Sequence, residues 1–91
     1  MAAFVVIGTI NPTAIKTAIV AQYGANHYEF APNVWFVSDS GPTKNVADKL
    51  GITQGVNDVQ GAVLRFDAYT GRAAATAWSW LQAKGEATPN G

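Results

Sequence analysis

Two short runs, Phe4-Val5-Val6-Ile7 and Val34-Trp35-Phe36-Val37, constrain this chain more than anything else in it. Successive side chains of a strand point to opposite faces, so a half-buried strand alternates apolar with polar residues. Neither run alternates. Val34 and Phe36 point one way and Trp35 and Val37 the other, and the first run is likewise apolar on both sides. Strands of this kind sit inside a sheet that is covered on both faces. The rest of the chain must supply their neighbours and two covering layers.

The neighbours follow from local signals. Ala3 to Ile10 reads as the first strand, and Asn11-Pro12 then supplies a helix N-cap and a proline at the first helical position. That helix runs to about Tyr23 with Ile15, Ala18, Ile19 and Gln22 or Tyr23 inward, and Gly24 ends it. Asn26 to Phe30 alternates, with Tyr28 and Phe30 on one side and His27 and Glu29 on the other, as an edge strand does. Ala31-Pro32-Asn33 is a tight turn into the central strand.

A second helix carries Val46, Ala47 and Leu50, and Gly51-Ile52 after it predicts a Schellman ending. Thr53 to Gly61 is polar and Gly-containing, the segment expected to be most flexible. Ala62 to Tyr69 is predicted as the fourth strand, with Leu64, Phe66 and Ala68 facing one way and Val63, Arg65, Asp67 and Tyr69 the other. The alanine run after Gly71 predicts a third helix over Arg72 to Lys84. A single domain over residues 1–84, with a fraying tail at 85–91, completes the reading.

The order is β-α-β-β-α-β plus a helix, with two strands dry on both faces and two wet on one. An α+β ferredoxin-like split βαβ with sheet order 4-1-3-2 puts those pairs at the centre and the edges. The helices after the first and third strands cover one face. The other needs the last helix, through Trp78, Trp80 and Leu81, or a second subunit.

Composition bears on that choice. Of 91 residues, 48% are hydrophobic and only 13% charged, against about a quarter charged in an ordinary domain. A surface with so little charge is expected to be covered in part by a second copy. Six basic and six acidic residues cancel, which argues against a large electrostatic footprint for nucleic acid. There is no cysteine, hence no disulfide, thiolate or sulfur-built zinc site. The first residues lack a basic leader, and their apolar run is too short to span a bilayer. The expectation is a soluble, cytoplasmic protein with no membrane partner, no metal and no cofactor.

Candidate chemistry is sparse. His27 and Glu29 share one face of an edge strand, too few for a metal site. Ser40-Gly41-Pro42-Thr43-Lys44 opens a helix without the spacing of a P-loop, and Ser40 or Thr43 reads as its N-cap. Thr70-Gly71-Arg72 opens the last helix in the same way. Lys44, Arg65 and Arg72 are the candidates for phosphate, and Asp39 and Asp67 for a catalytic carboxylate. The central strand lacks the basic residue and the glycine of an RNA-recognition motif, so Trp35 is read as core or interface.

The segment from Gly24 to Ser38, an aromatic edge strand turning tightly into Val34-Trp35-Phe36-Val37, resembles the SinR-like proteins. The pattern extends over about the first 70 residues. That superfamily of small ferredoxin-like domains also holds the CRISPR-associated spacer-acquisition subunit and the VapD-type toxin ribonucleases. Tyr69-Thr70-Gly71-Arg72 with Trp78-Ser79-Trp80-Leu81 resembles the ending of small bacterial or phage proteins. The resemblance implies dimers paired through the sheet. The interface candidates, Trp35, Trp78, Trp80 and Leu81, are read from the residues themselves. Its nucleolytic members place a metal-holding aspartate at the end of the first strand. Here that stretch is Gly8-Thr9-Ile10-Asn11, and an asparagine lacks the charge a hard cation needs.

Two functions are therefore expected in order. The first is a non-enzymatic homodimer of accessory or regulatory role near nucleic acid. The second is a weak metal-dependent nuclease or nucleic-acid binder. A third, a small-ligand site between sheet and last helix, rests on aromatic content alone.

Overall fold

The computed structural model describes residues 1–85 and the backbone of 88–89. Its centre is a four-stranded antiparallel sheet of β1 (Ala2–Ile10), β2 (His27–Ala31), β3 (Val34–Asp39) and β4 (Gln60–Phe66), in the spatial order β2-β3-β1-β4. Helices α1 (Pro12–Tyr23) and α2 (Thr43–Lys49) lie on one face and α3 (Ala75–Lys84) on the other. The chain is thus α+β. The two non-alternating strands are the two central ones.

Register explains which side chains meet. β1 pairs β3 with Phe4 opposite Val37 and Val6 opposite Trp35, and all four face α1 and α2. Ile15, Ile19 and Val46 close over them, each fully buried. On the opposite face Ala3 and Phe36 meet Ala77 and Leu81 of α3. β2 enters β3 through Pro32-Asn33, with Asn33 left-handed at φ 65°, as the third position of a tight proline turn requires.

The helix ends follow local chemistry. α2 closes as a Schellman motif, Gly51 N–H donating to Asp48 O and Ile52 N–H to Ala47 O, both at 3.1 Å. Gly51 holds φ +75°, where a side chain would be strained. α1 starts and ends where Pro12 and Gly24 predict. Asn11 does not cap it with its side chain. It sits left-handed, and its amide donates to Asn57 O at 2.7 Å, pinning the start of α1 to the loop before β4.

Other expectations need correction. β4 begins at Gln60 and stops at Phe66, because Ala3–Phe66 is its last pair with β1. A bend at Asp67 follows, and β5 (Ala68–Tyr69) turns toward the α3 side, so Tyr69 joins the face opposite to the one alternation assigns it. Within the loop expected to be most flexible, residues 53–58 are exposed and Val59 is buried. α3 starts at Ala75, not Arg72. Residues 70–74 take no regular structure, with Ala74 extended, and Tyr69 stacks on Trp78 at 4.9 Å, so a tertiary contact overrides alanine propensity. Of the tail expected to fray, residues 86, 87, 90 and 91 lie outside the described residues. β6 (Thr88–Pro89) pairs in parallel with β5.

Candidate functional site

The face under α3 is aromatic. Phe36 is its hub, with ring centroids 4.7 Å from Phe30, 5.6 Å from Phe66, 6.3 Å from Tyr28 and 6.4 Å from Trp80. Trp78 adds rings at Phe30 and Tyr69. The helix is tied down in cis. Ser38 Oγ donates to Lys84 O at 2.6 Å, the Tyr28 and Thr76 hydroxyls are 2.8 Å apart, and Trp80 Nε1 donates to Ala25 O at 3.5 Å. At the helix end, a Cβ on Gly85 would sit 2.8 Å from Ala3 Cβ, so the backbone crosses β1 closely.

One helix cannot cover this face. Ten residues of α3 make a cylinder about 15 Å long and about 10 Å wide. Four strands span roughly 15–20 Å, and the nine residues of β1 run about 30 Å. α3 lies over the Ala3, Phe36 and Tyr28 end and leaves the other end bare. There Ile7 is 36% exposed, Phe30 39% and Leu64 50%. Val34 pairs with Ile7, Ile7 with Ala62 and Val5 with Leu64, so the bare rows run through β3, β1 and β4, with Phe30 at the β2 edge. A hollow of about 340 Å³ opens beside them, lined by Val5, Phe30, Phe36, Leu64, Tyr69 and Trp78 among others.

The expected interface residues divide accordingly. Trp35 is 2% exposed in the core beneath α1, and Leu81 is fully buried under α3, so neither presents a surface to a partner. Trp78 and Trp80 are half-buried against the sheet. Ile7, Phe30 and Leu64, absent from that set, are exposed apolar groups on this face, and Ile10, Val20 and Val56 are exposed elsewhere. The mismatch that leaves them bare, one ten-residue helix over a four-stranded sheet, appears only with α3 starting at Ala75.

Asp39, a candidate catalytic carboxylate, is a structural tie. It is 4% exposed and accepts from Tyr23 OH at 2.8 Å, Lys49 Nζ at 2.8 Å and Gly41 N at 3.0 Å. Burial pushes its pKa up, but the bonds from Lys49, Tyr23 and Gly41 more than offset this and bring it down to about 2. The Tyr23 phenol is raised, by burial first and then by the adjacent carboxylate. The trio joins α1, β3 and α2, and its oxygens are committed.

The remaining candidates are dispersed. Asp67 is exposed in the bend after β4. Lys44 on α2 is bound to Asp48 at 2.9 Å, and Arg72 precedes α3 on the opposite side of the sheet from α2. Arg65, on β4, is exposed. Pro42, not Ser40 or Thr43, occupies the α2 N-cap, and the Gly41 N–H there faces Asp39. His27 Nδ1–H donates to Gly24 O, while Glu29 pairs with Lys16 at 3.3 Å, so these two do not act together. Among the described residues no three His, Cys, Asp or Glu side chains cluster for a metal, and no helix is long and apolar enough to cross a membrane.

The chain matches no protein-family model, no curated protein and no solved structure.

Proposed function

We propose that this chain is a ferredoxin-like domain of accessory or regulatory role that works as a homodimer through the bare half of its aromatic sheet face. The strand order, counted from β4, is 4-1-3-2 with antiparallel neighbours, and this supports the split βαβ assignment. The observation that carries the function is the exposed set Ile7, Phe30 and Leu64 beside an apolar hollow, on a sheet face otherwise packed as core. A two-fold axis pairs such a face with the same face of a second copy, Leu64 of one copy entering the hollow of the next. The charge deficit of the whole chain and the resemblance to SinR-like proteins agree with it.

Sedimentation equilibrium tests the reading. A dimer is expected at tens of micromolar, and Leu64→Glu, which adds a charge at the centre of the contact, is expected to shift it to monomer. A wild-type chain that stays monomeric at that concentration overturns the proposal.

A further inference from the structure

The two outer edges of the sheet are finished differently. β2 is five residues long, its register with β3 shifts between Glu29 and Ala31, Pro32 follows it, and Lys16 reaches Glu29 at 3.3 Å. Short length, a bulge, a nearby proline and charge are devices that keep an edge from pairing with another chain. β4 has none of them apart from Arg65. Its seven residues include no proline, and its register with β1 is unbroken from Gly61 to Phe66. Hydrogen-bond parity shows what this edge offers. Gly8 N–H donates to Asn33 O at 2.9 Å, so the even-numbered residues of β1 face β3, and Ala3, Val5 and Ile7 face β4. Their partners Phe66, Leu64 and Ala62 therefore turn inward. Gly61, Val63 and Arg65 turn their N–H and C=O outward, and none of these groups has a hydrogen-bond partner among the described residues.

We infer that the β4 edge pairs with the β4 edge of a second copy, antiparallel about a two-fold axis at Val63, so that two sheets run on into one. Val63 exchanges both main-chain bonds with its counterpart, and Gly61 of each copy does so with Arg65 of the other. The strand suits itself in this register. Leu64 falls opposite Ala62 and Arg65 opposite Gly61, a large side chain against a small one each time. Arg65 is the only charged residue of β4. The two copies of it end four residues apart, about 14 Å along the strands and beyond the Debye length of about 8 Å, so no like charges meet. The bonds are main-chain bonds at the rim of the sheet, so the edge contact does not rest on the face dimer. It buries less apolar surface than the face does, and so it is the weaker contact and sets in at higher concentration.

The test is amide hydrogen exchange of the full chain, read residue by residue by NMR. The amides of Gly61, Val63 and Arg65 are expected to slow about threefold or more as the sample is concentrated from about 50 µM to about 1 mM, by mass action. Those of Ala62, Leu64 and Phe66, bonded to β1, are expected to stay slow throughout. Arg65→Pro removes one outward N–H and no bond to β1. It is expected to abolish the slowing at Gly61 and Val63, while slow exchange at Ala62 and Leu64 shows the sheet intact. Ile7→Glu charges the bare face without touching β4, and is expected to keep the concentration dependence. Outward amides that exchange at one rate at every concentration overturn the edge pairing, as they would if this strand took only a segment of another protein. The face dimer then keeps its own test by sedimentation. Slowing that survives Arg65→Pro, or that disappears in Ile7→Glu, belongs to another contact and overturns the edge pairing as well.

Discussion

The two faces of the sheet are built from the same two central strands and yet close differently. On the α1/α2 face the filling is largely aliphatic, and Phe4, Val6, Ile15, Ile19, Val37 and Val46 are all at 0% exposure. On the α3 face the filling is mostly rings, and exposure climbs from 0% at Leu81 to 50% at Leu64. Two helices can close one face with small branched side chains at near-crystalline packing. A single helix cannot, and rings that bury about 150–250 Å² each extend its cover sideways. The aromatic enrichment under α3 is thus a response to a shortage of helix, and the bare rows mark where even rings run out.

The comparison breaks most visibly if the closed face proves soft. Phe4→Ala removes a ring from a site with no room to relax and is expected to cost about 3–5 kcal/mol in urea unfolding. Phe66→Ala, in the partly open cluster, is expected to cost about half of that. Equal losses would mean that α3 packs its face as tightly as α1 and α2 pack theirs.

The next effect is about 2 kcal/mol and depends on pH. Asp39 fastens the closed face by holding Tyr23 of α1 and Lys49 of α2 to the end of β3. Its folded pKa of about 2 lies below the ordinary carboxylate value of 3.8. The folded form therefore favours the ionised group. The stability this gives is present above about pH 4 and is lost as pH falls toward 2. Unfolding midpoints across that window should fall for the wild type and flatten for Asp39→Asn. An unchanged slope in Asp39→Asn would assign the acid sensitivity to other carboxylates.

The asymmetry was only partly legible in the sequence. Phe4-Val5-Val6-Ile7 and Val34-Trp35-Phe36-Val37 announce two-sided burial because missing alternation is a local property. Pro12, Gly24 and Gly51-Ile52 mark helix ends for the same reason. Long-range contacts decided the rest. Asp39 meets Tyr23 and Lys49 from 16 and 10 residues away, so nothing beside it in sequence separates a structural tie from a catalytic acid. Tyr69 changes face because β1 runs out opposite Phe66, and alternation within β4 carries no record of where its partner ends.

A smaller effect, about 1 kcal/mol, sharpens the comparison at the helix itself. Ser38→Ala removes the bond from Oγ to Lys84 O, and the carbonyl, on an exposed residue, recovers water as partner. Amide exchange should then show α3 opening ahead of β1 and β3, since a layer held by one helix and a few tethers is the first to detach. Simultaneous exchange in all three would make the α3 face as cooperative as the other.

The smallest expected change in intrinsic stability is at Leu64, and it separates the two meanings of a bare surface. Leu64 and Val63 are neighbours on β4 that point to opposite faces, Val63 packing on the closed core and Leu64 half-exposed. In dilute protein Leu64→Glu should alter unfolding free energy by less than about 0.5 kcal/mol, as for any surface substitution away from a special contact. If the sheets pair, the wild type gains stability with concentration by mass action, so its melting temperature climbs on concentrating the sample while that of Leu64→Glu stays level. Level curves for both would leave the rows as solvated surface, and the rings under α3 would then serve folding alone. A large loss for Leu64→Glu in dilute solution would instead mean that α3 reaches further over the sheet than its ten residues span.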